Sequence, residues 1–291
     1  MKPRLAISFS GGRSSAVMLN RCLDLYDKTH DICITFANTG CEHEETLRFV
    51  DAVDKNFASG RVVWIEAEFH KLGKGPTAKI VDFESASRNG EPFEAAIKKH
   101  GIFCTTHPQC TSRLKEEPMI SYRRAIGWSK GSYDVAIGIR ADEADRRSAM
   151  ATQRRFIYPL IREGWTKDSV NRFMAQFDWD LKLPSDAYGN CVWCWKKSKR
   201  KLYTLANESP DVFDFPARME RDYPESGRVF FRENTPTEQL IENAKNASFR
   251  PYRDTIDPHE PRLFEHWEIQ GYEDEWDRQS SCGETCEVGA D

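Results

Sequence analysis

No apolar run in this 291-residue chain approaches the roughly 20 residues needed to cross a bilayer, which argues against a membrane-spanning helix. The first four residues lead straight into an apolar stretch too short for a signal peptide, so the expectation is a cytoplasmic protein with no membrane partner. The chain also lacks a surplus of positive charge. A formal charge of −4 excludes a globally basic surface and leaves only a local patch for any nucleic acid. Internal repeats and long low-complexity segments are missing too. So are the two commonest phosphate-loop signatures: no glycine-rich turn ends in Gly-Lys-Ser/Thr, and none follows the G-x-G-x-x-G spacing of dinucleotide binders.

What is present is ordinary in bulk, with 39% hydrophobic and 30% charged residues, and unusual in its nine cysteines. In a reducing compartment clustered thiols point to metal or redox chemistry rather than disulfides. Cys22, on the apolar face of a helix, and Cys33, inside a strand, read as small buried hydrophobes.

Hydrophobic periodicity predicts strands at residues 5–9, 32–37, 61–66 and 133–139, with helices at 16–26 and 44–56 between them. Such alternation implies an α/β fold, a parallel twisted sheet with helices on both faces and ligands beyond the carboxyl ends of the strands. Three regions are expected: a nucleotide-binding domain over residues 1–165, a helical region with a C-x-x-C pair over 166–270, and an acidic, cysteine-containing tail over 271–291. Residues 72–110, polar and glycine-rich with one helical stretch at 93–100, read as an insertion over the site. Thr166 reads as a helix N-cap.

The first motif, Ser8-Phe9-Ser10-Gly11-Gly12-Arg13-Ser14-Ser15, lies between the first strand and the first helix. Two glycines let successive N–H groups converge, the helix adds its positive end, and the serines and Arg13 add donors, which makes an anion site. Ser10-Gly11-Gly12-Arg13-Ser14-Ser15 resembles the S-G-G-x-D-S loop (PP-loop) of the adenine nucleotide α-hydrolase-like superfamily, with Ser14 in place of the usual Asp of ATP pyrophosphatases. Three further segments resemble the phosphoadenylylsulfate (PAPS) reductase family of that superfamily. They are Asn38-Thr39-Gly40 followed by Glu45-Thr46, Arg113-Leu114-Lys115 with Pro118, and Gly138-Ile139-Arg140-Ala141-Asp142-Glu143. The resemblance implies the family's fold over roughly residues 5–200 and an ATP or adenylylsulfate-type nucleotide as ligand, with magnesium accompanying ATP. Chemically, Arg140, Arg113 and Lys115 suit phosphate and sulfate oxygens, the arginines through a bidentate fork. Arg146, Arg147, Arg154 and Arg155 extend the run or face solvent paired with neighbouring acids.

The second motif, Cys191-Val192-Trp193-Cys194, has the spacing that lets two thiolates grip one metal centre. Cys110 precedes Cys191 by 81 residues, a layout similar to the iron–sulfur adenylylsulfate reductases, whose Cys-Cys pair is here Cys110-Thr111. Three thiolates, Cys110, Cys191 and Cys194, would leave one iron of a 4Fe–4S cluster open, as in tRNA-thiolating relatives. Alternatively Cys104 closes the cluster, or the site is a structural zinc with Cys104 or His107 as fourth ligand. Lys196, Lys197, Lys199, Arg200 and Lys201 form the densest basic run, suited to a cluster's charge, to tRNA or DNA, or simply to solvent.

Cys282, in a tail segment that partly matches the reductases' nucleophile motif, and Cys41, expected to face the nucleotide, are the candidate catalytic thiols beside Arg140. Three functions remain open. One is an enzyme that adenylates a substrate with ATP and inserts sulfur, nucleic acid being the favoured acceptor and a thiol or sulfur-donor protein a partner. The second is a sulfonucleotide reductase releasing sulfite. The third is a non-catalytic nucleotide- or nucleic-acid-binding module with structural zinc.

Overall fold

The computed structural model describes residues 2–71 and 75–253. Its centre is a six-stranded sheet: β1 Arg4–Phe9, β2 Asp31–Asn38, β3 Val62–Glu68, β4 Thr77–Val81, β5 Asp134–Ala136 and β6 Phe156–Ile157. The strand order is β4-β3-β2-β1-β5-β6. All neighbours run parallel except β3 and β4. The four strands read from periodicity are present, the last shortened to three residues. The antiparallel edge β4 was not anticipated and falls in the stretch read as an insertion. Its pattern is poor because Lys79 and Ile80 both face outward at the edge, Ile80 being 55% exposed, so no clean alternation marks it.

Ten α-helices occur among the described residues: α1 Arg13–Tyr26, α2 Glu44–Val53, α3 Glu91–His100, α4 Glu117–Ala125, α5 Ala151–Arg154, α6 Pro159–Arg162, α7 Lys167–Met174, α8 Lys199–Glu208, α9 Asp214–Asp222 and α10 Thr237–Asn246. α2 gives way after Val53 to a wider π-helical turn, so the helix expected at 44–56 changes geometry near its end. Thr166 caps α7 as expected, its side chain accepting from the Ser169 N–H.

The period-2 alternation of the strands decides which helix covers which face. Leu5, Ile7 and Phe9 with Ile34, Phe36, Val62 and Trp64 pack under α1, α2 and α7. The intervening residues Ala6, Cys33 and Val135 point to the other face, where Ala37 and Ile65 meet Met119 of α4. Helices on both faces of a mostly parallel sheet is the architecture the strand–helix alternation implied. Cys22 and Cys33 are both buried, and burial pushes the Cys22 thiol up to about 12.

A second core joins Phe93 and Ile97 of α3 to Trp193, Trp195, Leu202 of α8 and Phe213, and sits beside the carboxyl end of the sheet. Phe36, 1% exposed, meets Trp64 edge-on at 4.9 Å and Phe9 at 6.3 Å. Phe36→Ala is expected to cost about 3–5 kcal/mol of stability in urea unfolding. A loss below about 1 kcal/mol would contradict this placement of the core.

Candidate functional site: a nucleotide cleft beside a cysteine cavity

The turn after β1 requires glycine. Gly11 has φ +82°, and a Cβ there would stand 2.8 Å from Thr46 Cγ2 of α2. Gly12 then caps α1. Ser15 holds the turn from inside: its hydroxyl accepts from the Ser10 and Gly12 N–H groups, both at 3.3 Å, and donates to the Gly12 carbonyl at 2.9 Å. The chain beyond β5 crosses close by, since a Cβ on Gly138 would lie 3.2 Å from Ser15 Cα.

This turn forms one wall of a cleft of about 300 Å³. Ser10, Gly11, Gly12, Arg13, Ser14, Ser15 and Arg140 all line it, so the structure brings these expected residues together. Arg140 donates from Nη1 to the Ser14 hydroxyl at 3.0 Å and pairs with Asp142 and Glu143. Arg13 is used differently from the expected donor role: Nε pairs with Asp180 at 2.9 Å and Nη2 donates to the Leu181 carbonyl at 2.6 Å. It therefore ties α1 to the segment after α7. Glu143, Arg146, Lys167, Asp186, Asn190, Lys201 and Tyr252 are among the other lining residues. Burial alone would push the Asp186 carboxyl up, but the Lys167 ammonium at 2.7 Å outweighs it and holds the group below the usual range.

The other expected nucleotide residues lie elsewhere. Ser8 is buried in β1, 3.4 Å from the Arg123 guanidinium. The Asn38 amide donates to Glu66 and to the Ser87 carbonyl. Gly40, at φ +77°, leaves 2.9 Å between a would-be Cβ and the Gly90 nitrogen. The Thr39 hydroxyl donates to Glu42 and lies 3.4 Å from the Cys191 sulfur. Arg113 pairs with Glu117 at 2.6 Å, and Lys115 with buried Glu42 at 3.7 Å. Thr39 and Lys115 thus line the cysteine cavity, and none of Asn38, Thr39, Gly40 and Lys115 lines the cleft.

Cys110, Cys191 and Cys194 line one small cavity of about 20 Å³, with Thr111, Lys115 and Trp195 among its walls. Among the described residues no three His, Cys, Asp or Glu side chains are grouped to hold a metal ion, so the expected three-cysteine ligand set is not assembled around one ion. The zinc alternative fares no better. Cys104 and His107 bond to each other through their backbones, the Cys104 sulfur lies 3.2 Å from the Thr106 hydroxyl, and His107 stacks on Phe103. A cluster makes a different demand, because thiolates at its corners stand farther apart than thiolates on a single ion. The three thiols are gathered around one cavity, but at about 20 Å³ it has room for about one water, so the residues as they stand do not fit a cluster.

Burial pushes the Cys191 thiol well above the ordinary range; the Glu42 carboxylate adds to this and Lys115 opposes it. Cys41 is pushed up too, by burial first and then by Cys191 and Glu42. Cys41 lines a cavity of about 350 Å³ with Arg88 and Asp211, separate from the nucleotide cleft it was expected to face. Cys282 lies outside the described residues.

The cysteine loop is clasped from two sides. The Val192 N–H donates to the Cys41 carbonyl at 2.9 Å, and Glu42 and Cys191 form an antiparallel bridge. Lys197, 4% exposed, turns inward and donates to the carbonyls of Gly189, Cys191 and Val192 at 3.0, 2.8 and 2.6 Å. Gly189 and Asn190 therefore line the nucleotide cleft while Cys191, the next residue, lines the cysteine cavity. Sequence reasoning missed the inward turn of Lys197 and the part played by Glu42. The one available signal was Glu42 lying three residues beyond Thr39, the distance of a local side-chain turn.

A glycine turn at the carboxyl end of the first of several parallel strands, opening a helix into a cation-lined cleft, defines an α/β protein of the adenine nucleotide α-hydrolase-like class. The model of the phosphoadenosine phosphosulfate reductase domain matches residues 4–179. The uncharacterized nin region protein ORF290 of Escherichia phage lambda is 32% identical over 201 residues, 67% of either chain. The uncharacterized protein MJ0066 of Methanocaldococcus jannaschii is 25% identical over 237 residues, which are 77% of this chain and 40% of the archaeal one. The chain belongs to the phosphoadenosine phosphosulfate reductase domain family. No helix among the described residues is long and apolar enough to cross a membrane.

Lys197→Met leaves three carbonyls, that of Val192 buried, without this donor. It is expected to lower stability by about 3 kcal/mol or more in urea unfolding. A loss within about 0.5 kcal/mol would remove Lys197 as the brace of the loop.

Proposed function

We propose that the protein is an ATP-dependent sulfur-inserting enzyme that adenylates its substrate in the Gly11–Gly12 cleft, with nucleic acid as acceptor. The observation that carries this reading is the loop of residues 189–194, which borders both the nucleotide cleft and the cysteine cavity. The N–H groups of the turn and of the start of α1 that Ser15 does not already hold bind the phosphates, with magnesium accompanying the triphosphate. Arg140 balances charge on the departing pyrophosphate as an acceptor oxygen attacks the α-phosphorus. A sulfur nucleophile then displaces AMP from the activated carbon.

The acceptor assignment rests on chemistry at the cleft mouth. Tyr252 lines the cleft with the Lys201 ammonium 4.5 Å from its ring centroid, and exposed Lys199 lies on the same helix. Cations interleaved with an aromatic ring suit an unpaired, negatively charged strand. A second reading, reductive release of sulfite from adenylylsulfate or phosphoadenylylsulfate, is favoured by the family match over residues 4–179. That reading would use a tail thiol such as Cys282, or Cys41, although the buried position of Cys41 disfavours a resting thiolate.

The protein is expected to convert ATP to pyrophosphate with a tRNA or DNA pool. Arg140→Ala should lower that turnover about 10- to 100-fold, the worth of a charge-assisted hydrogen bond. No pyrophosphate with any pool, together with sulfite release from adenylylsulfate and thioredoxin, would overturn the first reading in favour of the second.

A further inference from the structure

We infer that the mouth of the nucleotide cleft binds the chain's own acidic carboxyl-terminal segment, residues 254–291, which competes there with an anionic strand. This concerns what occupies the cleft and stands apart from the reaction proposed above. Charge is unevenly divided along the chain. Residues 254–291 hold twelve Asp and Glu beside only two Arg, whereas residues 1–253 hold 40 Lys and Arg against 34 Asp and Glu. The formal charge of −4 therefore joins a cationic body to a strongly anionic segment.

The fold delivers that segment to the cleft. Arg200 of α8 donates from Nε to the Arg250 carbonyl at 3.0 Å and from Nη2 to the Pro251 carbonyl at 3.2 Å. The Tyr252 N–H donates to the Thr204 hydroxyl at 2.8 Å, and Arg253 pairs with Glu208 at 2.7 Å. The chain is thus laid along α8 up to its last described residue, with Tyr252 in the cleft lining. A chain reaches about 3.3 Å per residue, so the 38 residues that follow can meet any part of that lining.

The lining suits this occupant. Arg140, Arg146, Lys167 and Lys201 outnumber the carboxylates Glu143 and Asp186 there. Arg140 and Lys167 already take those carboxylates as partners, so carboxylates match them chemically. Phe264, Trp267, Tyr272 and Trp276 are spaced among the acids of the segment. It therefore interleaves carboxylates with aromatic rings as an unpaired strand interleaves phosphates with bases. Cations beside the Tyr252 ring, which suit such a strand, suit the segment for the same reason. A tethered partner meets its site at about millimolar effective concentration, so a contact of only about 0.1 mM affinity weakens a competitor about 10-fold.

The test uses the full chain. Wild type is compared with a segment variant (Glu273→Gln, Asp274→Asn, Glu275→Gln, Asp277→Asn) and with a control of equal charge change (Asp24→Asn, Asp27→Asn, Asp31→Asn, Glu84→Gln). The control positions are exposed at the opposite end of the sheet, and Cys282 and Cys286 are kept in both. A carbodiimide, which joins a carboxyl to an amine in contact with it, is expected to link acids of residues 254–291 to Lys201 or Lys167. Mass spectrometry maps the links, and excess single-stranded oligonucleotide should suppress them. At low salt the segment variant should bind that oligonucleotide about 10-fold tighter than wild type, and the control within about 2-fold of wild type. The gap should shrink at high salt. No link to either lysine, or equal affinities in the two variants, would overturn the inference. Links without any oligonucleotide binding would uphold it and remove nucleic acid as the acceptor, so the two claims fail separately.

Discussion

The architecture of the site depends on one backbone clasp, the pairing of residues 41–42 with 191–192. The Val192 N–H reaches the Cys41 carbonyl at 2.9 Å, and Glu42 bridges Cys191. Cys41 and Glu42 come two residues beyond the end of β2, whose position in the sheet is fixed by parallel pairing with β1 and β3. The clasp therefore fastens a loop from the second core to the carboxyl end of the sheet. It acts beside the Thr39–Cys191 contact and the ties from Arg13 to Asp180 and Leu181. Lys197 completes the fastening by donating hydrogen bonds to three carbonyls that the tight loop turns inward.

The surroundings of the cysteine cavity disfavour a reactive resting thiolate. Burial and the neighbouring Glu42 carboxylate both oppose ionisation of Cys191, with only Lys115 among the larger influences acting the other way. A thiol in such surroundings stays protonated unless a metal replaces its proton. Cys41 obeys the same logic, which separates it from the low-pKa, accessible thiols that act as nucleophiles. The nucleotide cleft is the opposite environment. Its cations are held in ion pairs, Arg140 with Asp142 and Glu143 and Lys167 with Asp186.

The sheet was legible because fully or half-buried strands repeat every two residues and their helices every three or four, so residues such as Leu5, Ile7 and Phe9 announce their own face. The glycine turn was legible because Gly11 occupies a backbone conformation and a space that no side chain tolerates. The edge strand β4 was hidden by its exposure. The destinations of Arg13, Arg113 and Lys115 were hidden for another reason: a sequence states which charges exist, not which carboxylate takes each one. Asp180 lies 167 residues from Arg13 and Glu42 lies 73 residues from Lys115, and such distant pairings leave no local mark. The same holds for Lys197, whose place in a basic run suggested solvent or a polyanion while its ammonium is in fact buried.

The central claim is that one loop separates a nucleotide from the cysteine cavity. The most direct measurement is a crystal structure of the protein with a non-hydrolysable ATP analogue. The account predicts phosphates on the turn of residues 10–15 and contact between the nucleotide and Gly189 or Asn190. A nucleotide bound away from that turn would contradict it.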